Sequence, residues 1–223
     1  MKFQERASEI IRSEKFSYFG IIGSVAMLIA LLIPQLTYVG TKGESFSMVN
    51  HFVSELGELG VSSLAMVFNI GIIIGGFFFL FFMIGLGLYL DSKIAKISLI
   101  LGVISSACAI LVGFFPMNFE WPHYIAAISY FNITLFTAIV ITVAIFVQKE
   151  QKISKKLCIV GACVIGINLF SFIFINPSDL GDFSTNRPDL LLMAIIEWAM
   201  VLSVLGYLMV IAIFIAVKFH RNS

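Results

Sequence analysis

The chain has 223 residues, of which 60% are hydrophobic and only 12% charged, with a mean hydropathy of +1.03. Ordinary globular chains carry about 25% charged residues, so these values exclude a soluble domain. No nucleic-acid-binding patch is evident in the sequence.

Six apolar runs follow one another, near residues 17–39, 62–90, 94–116, 123–148, 155–176 and 189–218. Each is long enough for the roughly 20 helical residues that cross a hydrocarbon core. The expected fold is all-α: a polytopic integral membrane protein with six transmembrane helices, forming one domain over 1–223 and multi-pass in the cell membrane.

Segment 1–16 precedes the first run with several charges, and no small-residue cleavage site follows that run, so it reads as a retained anchor. Phe3, Ala7, Ile10 and Ile11 would fall on one face of a cytoplasmic interfacial helix. Runs one, three and five end near Pro34, Pro116 and Pro177, which suggests three helical hairpins. Cys108, Cys158 and Cys163 all fall inside predicted helices and read as small packing residues.

Twelve of the fourteen lysines and arginines fall in segment 1–16, in the loops near 93–96 and 149–156, and in the tail. Lys42 and Arg187 are the two on the other side. The positive-inside rule then makes both termini cytoplasmic. Eight of the thirteen acids fall on the outer side, which becomes a surface that attracts cations.

Between runs one and two, Ser47–Gly60 reads as a short amphipathic outer helix over 47–59. Met48, Val49, Phe52, Val53, Leu56 and Leu59 form its apolar stripe. Asn50, His51, Ser54, Glu55 and Glu58 form the polar face, with His51 and Glu55 one turn apart. Ser47 would cap its start and Gly57 and Gly60 its end.

Four polar residues are expected at similar depth below the outer surface: Asn69, Asn132, Asn168 and Glu197. Asn69 and Asn168 share stripes with small residues and read as interhelical packing amides. An ionised carboxylate at the depth of Glu197 is costly, so it should face the bundle interior with a partner or be protonated. His123 opens helix four after Pro122, and Tyr130 and Thr134 continue its stripe as a polar seam. His123 is expected to meet His51 and Glu55, because polar faces at one membrane surface are cheaper to satisfy together.

The runs His51-Phe-Val-Ser54-Glu55-Leu-Gly57, Val67-Phe68-Asn69-Ile-Gly71 and Gly113-Phe-Phe-Pro116, with the pair Glu197-Trp198, resemble the DUF998 family (domain of unknown function 998) of membrane proteins. More distantly, the Ser54-Glu55-x-Gly57 turn is similar to that of Frag/DRAM-type lipid-remodelling and autophagy-modulator membrane proteins. The latter resemblance implies six helices and a lipid connection; the nearer family implies no activity.

Three functions stay open. In the first, favoured over an enzyme, the protein binds or handles a membrane lipid or a small cationic ligand at the extracytoplasmic face. The candidate ligand-binding residues are His51, Ser54, Glu55, His123, Tyr130 and Glu197. In the second, His51, Glu55 and His123 form the two-imidazole, one-carboxylate set of a catalytic zinc in an intramembrane lipid hydrolase. A ceramidase-type arrangement would need three histidines and a His-x-x-x-His pair, which the sequence lacks. In the third, a small proton-coupled transporter centres on Glu197. No cofactor motif is evident.

Overall fold

The chain is described here by a computed structural model covering residues 14–174 and 187–222. Its apolar runs fold as six helices, because a segment that leaves water must satisfy every backbone polar group internally. They are α1 (Ser17–Leu32), α2 (Ala65–Leu90), α3 (Lys93–Phe114), α4 (Glu120–Val147), α5 (Leu157–Phe174) and α6 (Leu192–Asn222). Two short 3₁₀ turns, Pro34–Thr37 and Val53–Gly57, lie between α1 and α2. There is no β-strand among the described residues, only an isolated bridge from Val39 to Ser45.

Five of the helices are long and apolar enough to cross a membrane. The sixth, α5, is apolar but shorter. The protein is therefore membrane-embedded. The expected interfacial helix in segment 1–16 lies almost wholly outside the described residues, and Pro177 lies outside them too.

Each helix packs on its neighbour in sequence, and α6 returns to close on α1. Small residues permit the close approaches. A Cβ on Gly71 of α2 would meet the Ala30 methyl of α1 at 2.6 Å, and one on Gly76 would meet Ile110 of α3 at 2.7 Å. The buried core runs through the middle of the bundle, from Leu31, Phe82 and Leu86 to Ile141, Tyr207 and Ile211. Large apolar side chains such as Ile29, Phe81, Ile100 and Phe136 face outward, as they would toward lipid.

Contacts between loops define the two ends. At one, the Tyr89 hydroxyl donates to Glu14 at 2.6 Å, Lys152 Nζ donates to the Tyr89 carbonyl at 2.8 Å, and Tyr18 meets His220 at 2.7 Å. At the other, the α1–α2 connection meets the α3–α4 loop and the start of α6. The helices thus alternate in direction, and Glu14 and His220 share an end.

Candidate functional site

The α1–α2 connection is where the fold departs from expectation. Residues 47–59 are not an amphipathic helix. Met48–Asn50 form a turn, Phe52 is extended at φ −67° and ψ 152°, and Val53–Gly57 make one 3₁₀ turn. The apolar stripe is split: Val53 and Leu56 are buried, whereas Val49 and Leu59 are exposed.

The cause is tertiary. In an α-helix the Val49 carbonyl would accept from the Val53 N–H. Here the Val49 carbonyl instead accepts from the Leu191 N–H at 2.8 Å, and the Val53 N–H donates to Glu197 Oε2 at 2.8 Å. The carbonyls of Asn50 and His51 accept from Arg187 Nη1 at 2.5 Å and from the Trp198 indole at 3.1 Å. Backbone groups that a helix would pair internally are engaged by the segment leading into α6 and by its first turns. The connection is a cap seated on α6.

Glu55 holds the cap from within. Its Oε1 accepts from the Phe52 N–H at 2.8 Å, closing the 3₁₀ turn. The same carboxylate meets Arg187 in a two-pronged pair, Nη2 to Oε2 at 2.7 Å and Nη1 to Oε1 at 3.0 Å. The Tyr38 hydroxyl reaches Oε2 at 3.4 Å. Both side chains are largely withdrawn from solvent, at 18% exposure for Arg187 and 7% for Glu55.

His51 is buried in an aromatic box, with the Phe46 and Tyr38 rings at 5.0 and 5.4 Å and Phe46 in turn against Trp198. Its Nδ1 lies 2.7 Å from Asn50 Oδ1 and 3.3 Å from the Ser47 nitrogen, while Nε2 is buried with no hydrogen-bond partner among the described residues. Burial pushes the imidazole below its ordinary range, opposed by the Glu55 charge and reinforced by Arg187. Burial and the neighbouring Glu55 push the Glu58 carboxyl up.

The cap is pinned at two further points. Asn118 from the α3–α4 loop accepts from the Leu59 N–H at 2.7 Å and donates to the Leu59 carbonyl at 3.0 Å. Asn69 of α2 donates to the Gly57 carbonyl at 2.9 Å, so it anchors the cap and does not bridge transmembrane helices. Asn168 bonds to Val164 and Asn132 to Ile128, each within its own helix. Gly60 takes φ +87°, a conformation suited to glycine, where the cap turns toward α2.

Beneath the cap lies a cavity of about 60 Å³. Its polar lining comes from Ser54 of the cap, His123 and Tyr130 of α4, and Glu197 of α6; Val53, Met27 and Phe68 are among its apolar walls. His123 Nδ1 lies 2.7 Å from the Phe115 carbonyl. A carbonyl only accepts, so Nδ1 carries the proton, and Nε2 of the neutral ring is left as an acceptor. Pro122 lies in the first turn of α4 and helps set where that helix, and so His123, begins.

The six candidate residues therefore divide. Ser54, His123, Tyr130 and Glu197 line one cavity; His51 and Glu55 lie in the cap and do not line it. His51 and Glu55 do not share with His123 the cavity that it lines: the Arg187 guanidinium holds the Glu55 carboxylate, and His123 Nδ1 meets the Phe115 carbonyl. Among the described residues, no group of three His, Cys, Asp or Glu side chains could hold a metal. Helices α2, α4 and α6 run unbroken, without the midplane interruptions typical of secondary transporters.

Sequence reasoning used Arg187 only to set the orientation and missed it as the partner of Glu55. A signal existed: Arg187 is one of two basic residues expected on the acid-rich side, and such a residue is a natural partner for an acid there such as Glu55.

A family model described as a protein of unknown function, DUF998, matches residues 20–214. No curated protein and no solved structure matches the chain.

Proposed function

The chain belongs to the DUF998 family, and we propose that it is a six-span protein of the cell membrane, with cytoplasmic termini, that binds a small cationic or lipid-headgroup ligand at its extracytoplasmic end. One observation carries this reading. A capped cavity gathers Ser54, His123, Tyr130 and Glu197 from three separate parts of the chain. Each of its polar groups can accept a hydrogen bond, and no lysine or arginine lines it among the described residues. A donor-bearing or cationic head is the chemistry that such a lining recognises.

The orientation rests on the basic residues. Lys15, Lys93, Lys152, Lys155 and Lys218 belong to the end that holds Glu14 and His220, opposite the cap. α5 is the sixth span in this reading, its apolar run continuing into residues outside those described.

The test is mass spectrometry of what co-purifies with wild type and with Glu197→Gln. The reading expects a specific lipid or amine with wild type that is depleted at least tenfold in the variant. Equal recovery from both would sink it.

A further inference from the structure

A second cavity, of about 40 Å³, lies deeper in the bundle and abuts the first. Met27, Ala109, Tyr130 and Val201 line both, so they form the waist between them. Along α4 the two linings run from His123 to Ile141, about 27 Å at 1.5 Å per residue. That is close to the roughly 30 Å thickness of a hydrocarbon core.

The lower cavity makes no polar demand. Its hydroxyls are engaged within the protein: Ser106 donates to Gly102 at 2.8 Å, Thr137 to Ile133 at 2.7 Å, Ser105 pairs with Thr134 at 2.5 Å, and Tyr207 with Thr142 at 2.9 Å. What faces the space is chiefly carbon, as in cavities that stay dry and accept apolar guests. Both cavities are small, about 60 and 40 Å³, which favours one alkyl chain over two side by side.

The upper end differs. Glu197 Oε2 accepts the Val53 N–H, and no cation lines the cavity among the described residues. The Arg187 guanidinium is engaged by Glu55 and the Asn50 carbonyl, outside the cavity. An anionic head would meet a carboxyl, with no basic group to receive it. A protonated amine would find the Glu197 carboxyl, His123 Nε2 and hydroxyls as acceptors.

We propose that the ligand is a single-chain amphiphile bearing a protonated amine, its head against Glu197 and its alkyl chain threaded down the bundle axis past Tyr130. The proposal rests on the ligand-binding reading above and adds the number of chains and the sign of the head. Met27, one of the four residues at the waist, has an unbranched thioether side chain that adapts readily to a guest.

The experiment is a thermal-shift series on the full-length protein in nanodiscs, with primary alkylamines from butylamine to hexadecylamine. Matched alcohols and fatty acids serve as comparators. Amines are expected to raise Tm, by about 5 °C at saturation for the best of them. The effect should grow with chain length and then level off, with alcohols weaker and fatty acids without effect. Glu197→Gln should abolish the advantage of amines over alcohols while keeping the dependence on length. Ala138→Leu, which fills the lower cavity, should move the plateau to shorter chains and leave the head preference intact.

The wild-type series decides the matter even where a variant does not fold. A Tm rise with butylamine that does not grow with chain length would overturn the single-chain proposal and leave the ligand-binding reading standing. Fatty acids as effective as amines would overturn the assigned head. No shift with any compound, together with equal co-purification from wild type and Glu197→Gln, would overturn both.

Discussion

Replacing Arg187 by alanine tests whether the cap is held by charge. The pair is two-pronged, at 2.7 and 3.0 Å, and the Glu55 side chain is only 7% exposed. Removing one partner of a buried pair costs about 3–5 kcal/mol, because the remaining charge is left without compensation. Arg187 is 18% exposed, and Glu55 keeps the Phe52 N–H and the Tyr38 hydroxyl, so the lower end applies, about 3 kcal/mol. For a chain of this size that corresponds to a fall in Tm of about 6–12 °C. The assay is Tm for wild type, Arg187→Ala, Glu55→Gln and the double variant, read with labelling of a cysteine at Ser54 by an impermeant maleimide. The Arg187→Ala variant should label at least tenfold faster. A double-mutant coupling below about 0.3 kcal/mol would refute the reasoning, since independent sites add to within that margin.

Other outcomes follow from the same geometry. Burial holds the His51 imidazole below its ordinary value, so the unfolded chain takes the proton first. Stability should therefore fall as pH drops below about 6.5, with Glu44, Glu55 and Arg187 as the charges around the ring. His51→Phe should flatten that slope in a Tm–pH series, and a slope unchanged in the variant would assign it elsewhere. Glu197→Gln should fold, because its amide oxygen can still accept the Val53 N–H. Glu197→Ala leaves that N–H unpaired and should lose about 1–3 kcal/mol by thermal unfolding; equal stability of the two variants would contradict this. Gly57→Ala would bring a Cβ to 2.5 Å from Asn69 Oδ1 and 2.6 Å from Phe68, costing about 1–3 kcal/mol, and a neutral result in the melting curve would show that the cap can slide. In a background without native cysteines, a cysteine at Glu44 should react with an impermeant reagent from outside the cell and one at Gln151 should not. The reverse pattern would invert the orientation.

The sequence by itself determined the helices. Composition and the lengths of the apolar runs place α2 to α6 to within four residues, and the start of α1, because in hydrocarbon a backbone has few alternatives to a helix; the first run extends seven residues past the end of α1. It also marked His123, Tyr130 and Thr134 as one polar seam, since residues seven and four apart share a helical face, and the fold turns that seam to the cavities. The cap was beyond its reach. Periodicity over 47–59 describes a helix, yet the carbonyls of Val49, Asn50 and His51 and the N–H of Val53 find their partners at Leu191, Arg187, Trp198 and Glu197, some 137 to 147 residues away. Local pattern counts only neighbours along the chain. The closure of α6 on α1 brings those distant donors and acceptors to the same end of the bundle. That closure decided that Glu55 pairs with Arg187 and leaves His123, Tyr130, Ser54 and Glu197 around a common cavity.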